Sequence, residues 1–155
     1  KMVRGWVANL ATAPFPDDTK AMEAVAAGLC DVTVVNTYYF GRLMDKKPDL
    51  PLAIFWPNQN LKSANAGVHV NVSGAGVTKY AKHADEAVKL LEWLSSDKAQ
   101  NLYADVNMEY PANAKVKPDP KVAAWGSFKP NLINVAEAGK LQAKAVMLMD
   151  RAGYK

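Results

Sequence analysis

Residues 31–43 read "DVTVVNTYYFGRL". The first half, Asp31 to Asn36, is rich in β-branched residues and predicts a strand. From Thr37 on, "TYYFGRLMDKK" is compatible with a helix that Asn36 or Thr37 caps and Pro48 ends, although Gly41 is a poor helix former. The stretch is thus a strand-to-helix junction, with Tyr38 and Tyr39 standing on it. Neighbours on a strand point to opposite faces, and neighbours on a helix lie about 100° apart, so neither regular element brings two adjacent hydroxyls together. At a junction the backbone bends, and two adjacent side chains can converge just beyond the strand's carboxyl end. In open α/β sheets ligands bind at that end. The same place offers unpaired backbone N–H groups and the positive end of a helix dipole, which favour an anion.

Outward from this junction, strands and helices alternate. Upstream, "DDTKAMEAVAAG" predicts a short helix capped by Asp17 or Asp18, with Met22, Val25, Ala26 and Leu29 at helical spacing and Gly28 at its C-terminal end. Downstream, "LPLAIFW" and "GVHVNV" predict two more strands, the second with Val68, Val70 and Val72 on one face and His69 and Asn71 on the other. The polar stretch "PNQNLKSANA" between them reads as a loop, and "SGAG" as a flexible turn. "HADEAVKLLEWLSS" is a patterned helix with Ala87, Val88, Leu91 and Leu94 on one stripe. "SDKAQNLYADV" predicts another, capped by Ser96. "EYPANAKVKPDP", with three prolines, reads as an extended linker. A last helix from Asn134 to about Ala152 directs Val135, Ala138, Leu141, Ala145 and Leu148 inward. The fold class is α/β.

The 155 residues, 50% of them hydrophobic, are enough to bury a core, and length alone suggests one domain. The formal net charge of +4 is spread thinly. Residues 1–68 hold seven cations against six anions, 69–118 six against six, and 119–155 six against three. No block of like charge marks a nucleic-acid partner. No apolar run approaches the roughly 20 residues of a transmembrane segment, and "KMVRGWVANL" at the start has no leader pattern and reads as the middle of a fold. Cys30 is the single cysteine, so no internal disulfide can form.

Two phenols beside an anion site point to a hard, highly charged cation. A phenol ionises near pH 10, so a phenolate at neutral pH needs a strong Lewis acid to displace its proton. Ferric iron is such an acid, and oxygen donors suit it. A packed tyrosine next to a surface one is the plain structural alternative, and spacing alone does not decide between them.

"VNTYYFGRL", "GVHVNVSGAGVTKYAKHADEAVKLLEWLSSDKAQ" and "NMEYPAN" together resemble the ferric-ion-binding periplasmic proteins of ATP-driven iron importers, within the type II periplasmic binding protein superfamily. The resemblance runs over essentially the whole chain and is most specific at Asn36, Tyr38 and Tyr39. It implies that Tyr38 and Tyr39 supply two phenolate ligands to Fe(III) and that Asn36 contacts an accompanying anion. Members are about twice as long, with two α/β lobes around a cleft, so the chain resembles their carboxyl-terminal half. On that basis residues 1–68 belong to the second lobe with the tyrosine pair. Residues 69–118 cross into the first lobe near His69, and 119–155 return for the C-terminal helices. Remaining ligands would come from the missing N-terminal half. The resemblance further implies periplasmic residence and delivery to an ABC transporter permease at the inner membrane. Some members that use phosphate carry an asparagine where Asp18 stands; a carboxylate there repels an anion, which leaves carbonate, or no inorganic anion, open.

Three functions fit these residues. The first is a ferric-ion carrier; the second is a receptor of the same fold for an organic anion such as a sugar phosphate, with the tyrosines as hydrogen-bond donors. The third, an enzyme using Cys30 or a histidine, lacks a base at suggestive spacing. His69 and His83 have no zinc-ligand spacing. Arg42 is expected to pair with a carboxylate such as Asp31, and Tyr110, before Pro111, to pack.

Overall fold

A computed structural model of the chain describes residues 1–63 and 66–154; Ala64 and Asn65 of the polar loop, and Lys155, lie outside the described residues. Among the described residues there are seven helices: α1 (Met2–Ala8), α2 (Asp18–Ala26), α3 (Thr37–Lys46), α4 (Ala84–Leu94), α5 (Asp97–Asn107), α6 (Pro120–Ala123) and α7 (Val135–Ala152). They fall into two compact units, one of Lys1–Val35, Pro51–Val70 and Lys129–Lys155, the other of Asn36–Leu50 and Asn71–Phe128.

In the first unit, Asp17 caps α2, its Oδ1 accepting the Lys20 N–H at 2.8 Å. Met22 and Ala24 are buried. The helix closes with Gly28 in the left-handed region (φ 76°), where an L side chain is strained. There the Gly28 N–H donates to the Val25 carbonyl and the Leu29 N–H to the Ala24 carbonyl. Two extended stretches follow the strand prediction in alternation but not in pairing. Thr33 and Val35 are half-buried while Val32 and Val34 are 66% and 98% exposed; Leu52, Ile54 and Trp56 are half-buried while Phe55 is exposed. A strand is completed by a neighbour about 4.8 Å away. Among the described residues only Val68 and Pro130 form such a bridge, in parallel sense. The Val68 N–H donates to the Lys129 carbonyl and the Asn131 N–H to the Val68 carbonyl. Gly67 makes this approach possible, since a Cβ there would sit 2.6 Å from the Lys129 and Pro130 backbone. The expected strands are therefore extended segments without a ladder.

The helix α7 begins as expected, Asn134 Oδ1 accepting the Ala136 N–H at 2.9 Å. Its apolar stripe does not turn inward: Val135, Leu141 and Leu148 are all more than half exposed. Burial needs a covering element, and the seven-residue α1 packed on α7 is too short to cover it.

The second unit has a tighter core. Ser96 caps α5, its Oγ accepting the Ala99 N–H, and α4 packs on α5. Ala99 and Ala104 are completely buried, and Met108 ends α5 in the left-handed region. The stretch read as a linker is pinned rather than free. Gln100 Oε1 accepts the N–H groups of Ala112 and Asn113, and Asn113 Nδ2 donates to the Ser95 carbonyl and to Asp97 Oδ1. Val116 is buried, and Asp119 caps α6, whose Val122 is fully buried. Gly41 lets α3 lie against this core, because a Cβ there would meet the Met108 sulfur and, at 3.1 Å, the Trp125 ring. Phe40 meets Trp125 edge to face, and Lys121 Nζ holds Asp45 at 2.7 Å near the end of α3. These contacts group Asn36–Leu50 with Asn71–Phe128.

Candidate metal centre

The first turn of α3 carries the candidate site. Asn36 stands at the N-cap with extended backbone (φ −75°, ψ 134°), and its carbonyl accepts the Tyr39 N–H at 3.1 Å. Its side chain does not cap the helix; its Oδ1 instead accepts Asn71 Nδ2 at 3.1 Å. Tyr38 and Tyr39 follow within the first turn, both half-buried. Their ring centroids lie 4.4 Å apart with planes tilted by 46°. The rings are therefore neighbours, and they do not part into one core side chain and one surface side chain; both stand inside α3 rather than on a bend ahead of it.

Arg42, one turn further along the same helix face, braces the pair. Its guanidinium carbon lies 5.4 Å from the Tyr38 ring centroid and 5.8 Å from that of Tyr39, within cation–π range of both. Its Nη2 donates to Asn107 Oδ1 at 3.0 Å, at the last residue of α5. The hydrogen-bond partner of Arg42 is thus Asn107, within its own unit, and not the expected carboxylate. Nothing in the sequence signals Asn107. Asn71 does have a signal, as a polar residue within a run of valines.

The other candidates fall elsewhere. Asp18 occupies the first position of α2 while Asp17 caps it. His69 is exposed, and His83 precedes α4 without a side-chain cap bond. Cys30 is half-buried in the first unit, beside an open cleft also lined by Phe15, Asp18 and Tyr154. Among the described residues no three His, Cys, Asp or Glu side chains gather as a metal site. Tyr110 packs edge to face against Phe128 and Trp125, and burial pushes its phenol above the usual value. The two phenols of α3 are thus the pair of oxygen-bearing side chains that the sequence singles out, and they stand next to each other.

A family model described as bacterial extracellular solute-binding protein matches residues 1–130. Iron uptake protein A2 of Synechocystis is 39% identical, over the whole of this chain and 46% of its own length. A Trichodesmium protein solved in complex with iron and citrate ligands superposes with a TM-score of 0.88 at 42% identity, covering 98% of this chain and 49% of that one. A ferric binding protein from Campylobacter jejuni superposes with a TM-score of 0.89 at 34% identity, over 99% of this chain and 49% of that one. The chain spans about half the length of the curated relatives it matches. Its fold is part of the two-lobe type II periplasmic-binding-protein fold.

Proposed function

The chain belongs to the bacterial extracellular solute-binding protein family, and from that premise we propose that it forms part of a carrier that captures Fe(III) and delivers it to an ABC transporter permease. The observation that carries this reading is the tyrosine pair, two phenols 4.4 Å apart by ring centroid in the first turn of a helix. Tyr38 and Tyr39 supply phenolate oxygens to the ferric ion, and Asn36, at the same helix N-terminus, contacts an anion such as carbonate that completes the charge. Fe(III) is the cargo, and no chemical step is required of the protein. Capture and release follow from differential affinity between open and closed lobes. The site lies outside the membrane, in the periplasm. Among the described residues no helix is long and apolar enough to cross a bilayer.

Iron titration of the full-length protein tests the reading. Ferric–phenolate charge transfer produces a visible absorption band that grows to one equivalent and vanishes when Tyr38 and Tyr39 are both changed to phenylalanine. A protein that stays colourless with Fe(III) yet binds a phosphorylated organic anion tightly would instead use the tyrosines as hydrogen-bond donors.

A further inference from the structure

Residues 31–35 and 52–55 lie in the first unit as extended chain, and among the described residues their backbone groups bond to no other segment. Their side chains alternate, yet the outward set is as apolar as the inward one. Thr33, Val35, Leu52 and Ile54 are half-buried, while Val32, Val34, Ala53 and Phe55 are exposed, Val34 at 98%. A strand with one face in water carries polar residues on that face. Apolar residues on both faces mark a strand covered on both sides, as in parallel sheets flanked by helices. The bridge between Val68 and Pro130, in the same unit, is parallel. A strand that stays at a bare edge is protected by lysine, proline or a bulge, and Val32, Thr33, Val34 and Val35 include neither lysine nor proline. A cleft of about 590 Å³ borders this stretch, lined by Val32, Thr33 and Val34 together with Leu10 and Phe15.

We propose that residues 31–35 and 52–55 are a docking surface for extended, apolar polypeptide, supplied by the part of the family fold that this chain does not contain. Rows of N–H and C=O groups along extended chain are matched by another strand laid beside them. A helix or a small molecule could cover the side chains but would leave those groups unpaired. Val32, Val34 and Phe55 add the requirement that the cover be apolar. The chain covers 49% of two solved structures on which it superposes, so as much polypeptide again is available there to lie on these segments. The inference does not depend on the cargo and stands apart from the ferric-carrier reading.

The full-length protein carrying Cys30→Ser and Val34→Cys is treated with a thiol reagent, and the labelling rate at position 34 is compared with that in the urea-unfolded protein. A strand seated there slows labelling by roughly a hundredfold or more, the protection of a position that opens only on unfolding. Rapid labelling at every protein concentration means a bare surface and overturns the proposal. Labelling that slows only as the protein is concentrated assigns the surface to a second copy, and overturns it as well. Amide hydrogen exchange of the unaltered full-length protein supplies the second measurement, which stands even if the double variant fails to fold. The amides of residues 32–35 and 52–55 should exchange as slowly as those of α5. Exchange at the rate of unstructured chain refutes the pairing. Slow labelling with fast amide exchange reveals a cover that packs on the side chains without a ladder, and this too refutes a strand as the occupant.

Discussion

Changing Tyr38 or Tyr39 to phenylalanine deletes one oxygen and keeps the ring. The pair makes ring contacts, 4.4 Å between centroids and 5.4 and 5.8 Å to the Arg42 guanidinium, and a phenylalanine ring makes these too. Fold stability should therefore move by less than about 1 kcal/mol. Metal binding should move far more, and in a countable way. A phenol in water ionises near pH 10, so at pH 7 roughly one in a thousand is phenolate, and freeing each costs about 4 kcal/mol. An ion held by two phenolates displaces two protons, and its affinity rises about a hundredfold per pH unit below that value from these groups alone. Either single variant displaces one proton fewer, which lowers the slope to about tenfold per unit. The assay is iron competition against a fixed chelator from pH 6 to 8.5, with band intensity read alongside. Chelator and iron hydrolysis contribute equally to all variants, so the difference between slopes isolates the phenol. If both single variants kept the wild-type slope and band, the oxygens would not be ligands.

Gly41→Ala gains about 1 kcal/mol of helix propensity but drives a methyl into Met108 and the Trp125 ring. Overpacking of about 1–3 kcal/mol outweighs the gain, so the urea midpoint of unfolding falls. Tyr110 has its phenol pushed up by burial. Its contribution to stability is full below the ordinary phenol value near 10 and is lost as pH rises through the higher folded value, because the unfolded chain deprotonates first. Urea midpoints taken from pH 8 to 11.5 should decline less in Tyr110→Phe than in the unaltered protein. The isolated 155 residues carry Val34 at 98% and Leu132 at 89% exposure together with the bare stripe of α7. They should associate with rising concentration in sedimentation velocity, and a compact monomer with cooperative unfolding would refute this.

What the sequence makes legible divides by the range of the interaction. The caps at Asp17 and Ser96 and the stop at Gly28 act on backbone groups close by in sequence, and they stand where the pattern places them. The strands have the period-two alternation that residues 31–36 and 51–56 show, but a ladder needs a second segment whose position no local pattern encodes. The same limit explains the misread linker. Three prolines announce irregular backbone, whereas its fixation depends on Gln100 and Asn113 meeting across a dozen residues of sequence. For α7 the stripe is periodic, but the surface that would cover it is not encoded in its own pattern.

The candidate site lies on both sides of this divide. Tyr38 and Tyr39 are neighbours in the first turn of α3, so the closeness of their rings is a local matter of one helix. Arg42 belongs to the same local set, being three and four residues further along one helix face. Its partner Asn107 and the Asn36 partner Asn71 are non-local, and they are the residues that sequence reasoning left without a role. Asn36 shows why this matters for chemistry. Its residue type and position mark a helix cap, yet a bond from 35 residues away takes up its side-chain oxygen. Local pattern thus nominates the side chains of a candidate site, while long-range packing decides how they are turned. The two tyrosines stand on one turn and so show in the local pattern, whereas the partners of Asn36 and Arg42 stand 35 and 65 residues away and do not.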